Sequence, residues 1–270
     1  MSTIQQRSKA RSGAAFATWG EGEPLLLIHG VGMRIEAWSP QIPVLSKDYR
    51  VIAVDLPGHG DSAPLPSGSS LGAFVRWAVD LVDELNCGPV SVAGHSMGAL
   101  IAGGMATEAP DSITRVALLN GVYRRDEAAR QAVMRRAAEI TTGHFDREAP
   151  LTRWFGDGHE NEAAYALCKD LLARVDQQGY ATAYAAFAGG DALYADRWPE
   201  VTCPALFLTG DGDRNSTAEM AEAMAAAAPH GRAVVIEGHR HMVNLTAPDA
   251  VNAALTAWMA LQTETMGALK

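Results

Sequence analysis

Short apolar runs alternate with amphipathic stretches along most of this 270-residue chain. The apolar runs are continuous and lack the every-second-residue pattern of a strand with one face in water, which predicts strands buried on both faces of a sheet. The predicted strands are residues 25–28, 51–54, 90–93, 115–119, 205–209 and 233–236. The predicted helices are residues 37–47, 71–86, 97–109, 217–228 and 248–261. This order predicts an α/β fold with a mostly parallel central sheet flanked by helices.

The segment 122–198 departs from that alternation. It has helical patterns over residues 127–140 and 160–178, and no clear strand. We therefore expect a helical cap inserted into a core domain that is made of residues 1–121 and 199–270. Because sites in parallel sheets form at the carboxyl ends of the strands, such a cap would lie over the site.

Composition and charge narrow the class of protein. A formal net charge of −9 disfavours nucleic acid as a partner, because binding phosphates needs a basic surface. No apolar stretch reaches the length of about 18 residues that a membrane-spanning helix needs. Residues 1–11 are polar and basic without the apolar segment of a secretory signal, and the three cysteines show no C-x-x-C spacing. We expect a cytoplasmic protein with reduced thiols and no membrane association.

The run Gly94-His95-Ser96-Met97-Gly98 matches the pattern G-x-S-x-G. It lies between a predicted strand and a predicted helix, which is the context in which this pattern forms a nucleophile elbow. The sharp turn holds the serine in a crowded backbone conformation, and the two glycines remove side chains that would collide there. We expect Ser96 to present its hydroxyl at the end of the strand as a nucleophile.

A serine hydroxyl is a weak nucleophile at neutral pH, so it needs a base, and the base needs a carboxylate that orients it. Two histidines near the end of the chain, His239 and His241, are candidates for the base. Asp213 and Asp211 follow a predicted strand and are candidates for the acid. Asn120 follows an earlier strand, but an amide does not stabilise an imidazolium as a carboxylate does. We do not expect the H-x-H spacing of these histidines to form a metal site.

Attack on a carbonyl produces an oxyanion, which needs donors that are already in place. The glycine-rich run 29–32 follows the first predicted strand and can bend close to a substrate. We expect the backbone N–H groups of Val31 and Met97 to form the oxyanion hole. We expect His29 to support its loop through hydrogen bonds, and the turn at residues 55–62 to be structural.

Taken together, these motifs resemble the α/β-hydrolase superfamily over residues 25–261. The matching features occur in the family's order at residues 29–32, 55–62, 94–98, 210–213 and 241–248. The resemblance implies the α/β-hydrolase fold, with a helical cap inserted after strand 6. It also implies a serine–acid–histidine triad that works without a cofactor.

The same resemblance selects among the candidate residues. Members of the family commonly have Gly-His, six residues and then Pro, and counting back from Pro248 selects His241 as the base. The family's acid ends a Gly-x-x-Asp run, which selects Asp213. The chain departs from the family where Arg240 replaces the usual glycine, and this leaves His239 open.

Within this superfamily the chain resembles small-acid hydrolases such as 3-oxoadipate enol-lactonases. It also resembles aminoacrylate hydrolases, notably around residues 118–122. A guanidinium group suits a substrate carboxylate, because it can donate two parallel hydrogen bonds. Aromatic side chains suit the walls of a pocket. The candidate substrate-binding residues are Arg34, Trp38, Arg124 and Trp154, with Arg125, Phe155 and Tyr184 as further candidates.

The sequence therefore predicts a serine hydrolase that cleaves a carboxylic ester, lactone or similar activated acyl bond of a small molecule through an acyl-enzyme intermediate. We expect neither a cofactor nor a metal, and we expect the small acyl substrate as the partner. The sequence leaves open whether the protein forms a homodimer. Two other functions also stay open: a cofactor-free perhydrolase or haloperoxidase with the same triad, and a ligand-binding receptor on a hydrolase scaffold.

Overall fold

The computed structural model describes residues 6–157 and 162–262 of the chain. Within these ranges, eight strands form one sheet in the order β1-β2-β4-β3-β5-β6-β7-β8. The strands are β1 (Ser8–Lys9), β2 (Ala15–Trp19), β3 (Pro24–Ile28), β4 (Arg50–Val54), β5 (Val90–His95), β6 (Ile113–Leu119), β7 (Ala205–Gly210) and β8 (Gly231–Ile236). Strands β3 to β8 pair in parallel with one another, which confirms the mostly parallel sheet predicted from the sequence.

The first two strands were not predicted. Strand β2 pairs antiparallel with β4, from Phe16 opposite Val54 to Trp19 opposite Val51, and β1 adds a two-residue edge beyond it. The residues of β2 are Ala-Phe-Ala-Thr-Trp, and burial alternates only weakly along them. This short run, rich in alanine, lacks the continuous branched apolar residues that identified the interior strands.

The helices are α1 (Ile42–Leu45), α2 (Leu71–Leu85), α3 (Met97–Glu108), α4 (Glu127–Thr141), α5 (Glu148–Phe155), α6 (Glu162–Ala173), α7 (Gln177–Ala188), α8 (Ala218–Ala227), α9 (Val243–Thr246) and α10 (Pro248–Met259). Among the described residues, no helix has the length and apolarity needed to cross a membrane. The helix predicted at residues 37–47 is wrong, because a 3₁₀ turn (Ile35–Trp38) and the short α1 take its place. Pro40 and Pro43 lack the backbone N–H groups that a continuous helix would use there.

The helical pattern predicted at residues 160–178 also resolves into more than one element. Residues 160 and 161 lie outside the described residues, and the remainder of the pattern divides between α6 and the start of α7. Asp176 starts α7, because its side chain accepts a hydrogen bond from the Gly179 backbone N–H at 2.7 Å. An N-cap of this type satisfies a helix donor that would otherwise have no partner, and it interrupts what looked like one pattern.

Two apolar layers enclose the sheet. Alternate residues of the interior strands face opposite sides, so that Leu26, Ile52 and Val92 belong to one core and Leu25, Val51 and Ala93 belong to the other. The first core contains residues of α2, α3 and α8, and the second contains residues of α1 and α10. Burial on both faces explains why the strands read as continuous apolar runs.

Helices α4 to α7 lie between β6 and β7 in the chain and contact the loops at the carboxyl ends of the strands. A Cβ on Gly32, after β3, would meet side-chain atoms of Leu172 in α6 and Tyr180 in α7. A Cβ on Gly58, after β4, would meet the backbone of Gly179 in α7. The division into a core of 1–121 and 199–270 and a cap of 122–198 stays a prediction, although these contacts lie where a cap would lie.

Candidate active site

Ser96 occupies the sharp turn between β5 and α3. Its backbone has φ 55° and ψ −113°, a left-handed conformation that side chains rarely adopt. The Ser96 backbone N–H donates to the Leu119 carbonyl at 2.9 Å, which ties the turn to the end of β6. The turn thereby holds the serine hydroxyl at the carboxyl edge of the sheet.

Two glycines permit this turn because other backbone atoms occupy the space of a side chain. A Cβ on Gly94 would collide with the Gly98 carbonyl group. A Cβ on Gly98 would collide with the carbonyl oxygens of Ile28 and His29. The pattern G-x-S-x-G is therefore a packing requirement here: it lets the elbow pack directly against the loop that follows β3.

The structure brings Ser96, His241 and Asp213 into one hydrogen-bonded line. The Oγ of Ser96 lies 3.0 Å from Nε2 of His241. The other ring nitrogen of His241, Nδ1, lies 2.7 Å from Oδ2 of Asp213. All three side chains are buried. This geometry allows the imidazole to take the serine proton while the carboxylate orients the ring.

The Asp213 carboxylate is held by several donors besides the histidine. Its Oδ1 accepts from the backbone N–H groups of Asn215 at 2.8 Å and Ser216 at 3.2 Å, and its Oδ2 accepts from Nδ2 of Asn120 at 2.9 Å. Burial favours the neutral acid, but the charge of His241 and these hydrogen bonds outweigh burial and hold the pKa of Asp213 below its ordinary value. The acid is therefore ionised at neutral pH and able to stabilise an imidazolium.

His239 and Asp211, the alternative candidates for the base and the acid, make their hydrogen bonds outside the line of Ser96, His241 and Asp213. The Nδ1 of His239 lies 3.0 Å from the Thr246 hydroxyl. The exposed Asp211 accepts the backbone N–H of Gly238 at 2.8 Å. The His239 carbonyl accepts the Gly212 backbone N–H at 2.9 Å, so its backbone helps to join the acid loop to the base loop.

The loop after β3 lies against the elbow. A Cβ on Gly30 would come within 3.0 Å of the Ser96 Cβ, so only a glycine permits this approach. Within the described part of the chain, the backbone N–H groups of Val31 and Met97 have no hydrogen-bond acceptor. Two unpaired donors beside the serine suit an oxyanion hole, which stays a prediction.

Three buried histidines, each in its neutral form, hold these loops through hydrogen bonds. His29 donates from Nδ1 to the Gly30 carbonyl at 2.8 Å and accepts at Nε2 from the Leu56 N–H at 2.9 Å. His59 accepts at Nε2 from the Gly32 N–H at 3.0 Å, and His95 donates from Nε2 to the His241 carbonyl at 2.8 Å. Burial lowers the pKa of each of these histidines to about 3. His29 therefore makes no ion pair with Asp55, although their side chains lie 4.0 Å apart.

The turn at residues 55–62 connects these loops to the edge of the sheet. Asp55 accepts the Ile35 backbone N–H at 3.0 Å and the Asp61 backbone N–H at 3.1 Å, and it pairs with Arg7 at 2.6 Å. The Ser62 hydroxyl donates to the Asp55 carbonyl at 2.6 Å. These bonds support the structural interpretation of the turn.

The predicted substrate-binding residues separate into two groups. Trp154 lies at the site, with its ring stacked on that of His241 at a centroid distance of 6.1 Å and an interplanar angle of 21°. Arg34, after the oxyanion loop, donates from Nη2 to the Arg174 carbonyl at 2.9 Å, while its buried Nε has no partner in the described part of the chain. Both residues remain candidates for contact with a substrate.

Other predicted binding residues are engaged elsewhere. Trp38 is completely buried in the core that contains α1 and α10, because the 3₁₀ turn directs it into the protein. Arg124 forms an exposed ion pair with Asp196, and the buried Arg125 pairs with Asp191 at 3.2 Å. No hydrogen bond, ion pair or ring contact in the described part of the chain joins these three residues to Ser96 or His241, and their role in binding stays a prediction.

Sequence reasoning missed three residues that touch the triad or its loops. Asn120 was set aside as an amide, but it is a donor to the acid, and it has the left-handed φ of 50° that asparagine tolerates. His95 holds the backbone of His241, and His59 holds the loop after β3. The place of His95 inside G-x-S-x-G was the one available signal, because the other two contacts join residues far apart in the chain.

Comparison with known proteins identifies the class of protein that this fold and site define. The family model described as the alpha/beta hydrolase family matches residues 25–254. The chain therefore belongs to the α/β hydrolase family, which confirms both the predicted fold and the predicted enzyme class.

A curated relative and two solved structures cover nearly the whole chain. The chain is 55% identical over 240 residues to (E)-2-((N-methylformamido)methylene)succinate hydrolase of Acinetobacter baylyi, covering 89% of this chain and 91% of that protein. The crystal structure of the enol-lactonase from Burkholderia xenovorans is 25% identical with a TM-score of 0.83, covering 95% of this chain and 100% of that chain. A malate-bound thermophilic esterase from Thermogutta terrifontis is 26% identical with a TM-score of 0.84, covering 94% of this chain and 98% of that chain.

The contacts of Asp213 lead to a prediction about the acid. Asp213→Asn should lower kcat on the order of 10⁴-fold, because the amide favours the wrong histidine tautomer. The double variant Asp213→Asn/Asn120→Asp should recover at least about tenfold, since a carboxylate then lies beside the new amide and the imidazolium. Steady-state hydrolysis kinetics measure both effects. The control is Asp211→Asn, with unchanged kcat expected; a large loss in that control, or none in Asp213→Asn, would exclude Asp213 as the acid.

The neutral histidines lead to a prediction about acid stability. The unfolded chain binds protons at His29, His59 and His95 near pH 6.5, whereas the folded chain binds them only near pH 3. Their contribution to stability is therefore complete above pH 6.5 and is lost as the pH falls towards 3. Three such protons give a limiting slope of about 4 kcal/mol per pH unit in the free energy of unfolding.

Urea unfolding at several pH values measures that slope. The variant His59→Gln should reduce the slope by about one proton. The control is His144→Gln, which removes an exposed histidine and should leave the slope unchanged. A free energy of unfolding that stays constant between pH 7 and pH 4.5 would contradict the neutral, buried state of these rings.

Proposed function

We propose that this protein is a serine hydrolase that cleaves an activated acyl bond of a small carboxylate-bearing molecule. The observation that carries the proposal is the line from Ser96 Oγ to His241 Nε2 at 3.0 Å and from His241 Nδ1 to Asp213 Oδ2 at 2.7 Å. The same ionised carboxylate accepts two backbone N–H groups, so the acid stays charged while the histidine gains a proton.

In the proposed first half-reaction, Ser96 Oγ attacks the substrate carbonyl carbon while His241 Nε2 takes the hydroxyl proton. The carbonyl electron pair moves to oxygen, and the Val31 and Met97 N–H groups donate to this oxyanion. The oxyanion then collapses, the bond to the leaving atom breaks, and His241 gives its proton to the leaving group. An acyl-enzyme on Ser96 remains.

In the second half-reaction, water attacks the acyl carbon and His241 takes a proton from the water. Collapse of the new oxyanion breaks the bond to Ser96 Oγ, and the proton returns from His241 to the serine. The acid leaves and the free enzyme is restored. Every proton passes through His241, so the sequence of steps needs no further catalytic group.

The relatives support a particular leaving group. The name of the Acinetobacter baylyi relative describes an N-methylformamide whose nitrogen is attached to a methylene carbon doubly bonded to a succinate. An enol lactone likewise attaches its acyl oxygen to a carbon–carbon double bond. In both cases the leaving atom delocalises electrons into the double bond, which makes its bond to the acyl carbon easier to break than that of an ordinary amide or ester.

At 55% identity over nearly the whole chain, the amide relative is the better guide to the substrate. We therefore take (E)-2-((N-methylformamido)methylene)succinate as the first candidate substrate. The proposed products of its acyl bond cleavage are formate, from the acyl-enzyme, and the amine fragment. An enol lactone of a small dicarboxylic acid is the second candidate, supported by the similarity to the Burkholderia xenovorans enzyme over its whole chain.

A turnover assay with the first candidate substrate tests the proposal. We expect formate to accumulate well beyond one equivalent, and Ser96→Ala to lower kcat on the order of a millionfold. The control is Ser91→Ala, which removes a buried hydroxyl from the same strand that bonds Thr114 rather than His241. It should retain activity.

Several outcomes would contradict the proposal. Less than a tenfold loss in Ser96→Ala would exclude Ser96 as the nucleophile. Release of only one equivalent of product would favour a binding protein over an enzyme. Faster formation of peracetate from acetate and hydrogen peroxide than cleavage of either acyl substrate would replace the proposal with a perhydrolase.

A further inference from the structure

Two arginines of the helices between β6 and β7 have no carboxylate partner. Arg136 lies on α4 and Arg153 on α5, and neither forms an ion pair within the described part of the chain. Other arginines of these helices are paired or satisfied: Arg130 lies 3.8 Å from Asp191, and Arg147 donates to the Leu172 carbonyl at 3.2 Å. The exposed Arg135 also has no ion pair among the described residues, so what distinguishes Arg136 is its contact with Tyr184, and what distinguishes Arg153 is the charge of Arg136 acting on it.

A series of contacts connects Arg136 to Gly32, in the loop that follows β3. The Nη1 of Arg136 donates to the Tyr184 hydroxyl at 2.9 Å. The Tyr184 ring stacks on the Tyr180 ring one turn earlier in α7, at a centroid distance of 5.8 Å and an angle of 12°. Tyr180 lies against Gly32, since a Cβ on that glycine would come within 2.9 Å of the tyrosine ring.

Arg153 lies on α5, the helix that reaches the candidate base. It directly precedes Trp154, whose ring stacks on the candidate base His241. Its side chain is accessible to solvent, yet burial lowers its pKa, and the charge of Arg136 lowers that pKa further. A side chain on the wall of a cleft is partly buried and still accessible to solvent, as the Arg153 side chain is.

Both guanidinium groups act electrostatically on Tyr180 in α7. Burial raises the pKa of Tyr180, and Arg153 and Arg136 both oppose that rise. Tyr180 is buried as a residue, and its hydroxyl makes no hydrogen bond among the described residues. The nearest carboxylate to affect Arg153 is that of Asp146, which accepts the first backbone N–H groups of α5 at 2.8 and 3.3 Å.

Two like charges in a partly desolvated place repel, and no carboxylate of the described residues forms an ion pair with either arginine, although the charge of Asp146 acts on Arg153. A bound anion would remove that repulsion and would satisfy donors that are now unpaired. Planar guanidinium groups match a carboxylate best, because each can donate two parallel hydrogen bonds to it.

We infer that Arg136 and Arg153, with the Tyr180 hydroxyl, bind a carboxylate of a dicarboxylate substrate while its acyl group lies at Ser96. The identity of the substrate rests on the proposed function, whereas the site itself rests on the contacts above. This assignment differs from the arginines expected from the sequence, since Arg124 is paired with Asp196 at the surface.

Binding of succinate to the full chain tests the inference without any turnover. Isothermal titration calorimetry should show binding of succinate and no binding of its neutral analogue succinamide. Arg136→Gln and Arg153→Gln should each weaken the Kd for succinate at least about tenfold. Arg135→Gln is the matched control, because that exposed neighbour in α4 carries the same charge and should leave the Kd unchanged.

The conservative variants Arg136→Lys and Arg153→Lys control for misfolding, because lysine keeps the positive charge and lacks only the planar guanidinium group. Each should bind succinate with a Kd between that of the wild type and that of the glutamine variant. In kinetics with the methylenesuccinate substrate, the glutamine variants should raise KM more than they lower kcat.

The outcomes separate this inference from the proposed function. Arginine-dependent succinate binding without turnover of the methylenesuccinate would support the site and contradict the proposed function. Turnover with no binding of succinate, or with equal binding in the glutamine variants and in Arg135→Gln, would overturn the site and leave the proposed function intact.

Discussion

Close contact between backbone segments at the end of the sheet is the constraint on which this site depends. The elbow at Ser96 packs so tightly against the end of β3 that a side chain at residue 98 would collide with the carbonyl oxygens of Ile28 and His29. That approach brings the loop that carries Val31 against the elbow that carries Ser96 and Met97, and the backbone N–H groups of Val31 and Met97 have no acceptor among the described residues. A left-handed serine is costly in isolation and persists because the surrounding strands fix it.

Close backbone contact also joins the loop that carries Asp213 to the loop that carries His241. A Cβ on Gly210 would collide with the His239 carbonyl, and the Gly212 N–H donates to that carbonyl. His95, inside the elbow, holds the carbonyl of His241. His241 is thus positioned through its backbone by the strand that leads to Ser96, and through its ring by the loop that carries Asp213.

Neutral histidines are well suited to this arrangement. His29 and His59 each accept a backbone N–H with one ring nitrogen and donate to a carbonyl with the other. A charged side chain in their place would need a counter-ion inside the protein, and protonation would break the accepted bond. The loops around Ser96 are therefore held by groups that add no charge near a developing oxyanion.

Much of this could be predicted from the sequence, because continuous apolar strands and glycine-dependent turns leave direct patterns. The strands that carry Ser96 and Asp213 are buried on both faces and were predicted within one or two residues. The edge strand β2 and the break at Pro40 left weaker patterns and were missed.

Residues whose role depends on distant contacts could not be predicted. Asn120 and Asp213 are 93 positions apart, and the pattern near Asn120 gives no sign that its amide reaches the acid. Arg136 lies in a helix with several other arginines, so only the packing of Tyr184 against it shows which one points inward. Trp38 shows the reverse case: its aromatic side chain suggested a pocket wall, whereas a 3₁₀ turn buries it in the core.

The most direct measurement of the central claim is mass spectrometry of the protein after labelling with a fluorophosphonate. We predict one adduct, on the peptide that contains Ser96, in the wild type and in His239→Gln, and a loss of labelling in His241→Gln because the serine then has no base. An adduct on another residue, or labelling of His241→Gln at the wild-type rate, would contradict the account.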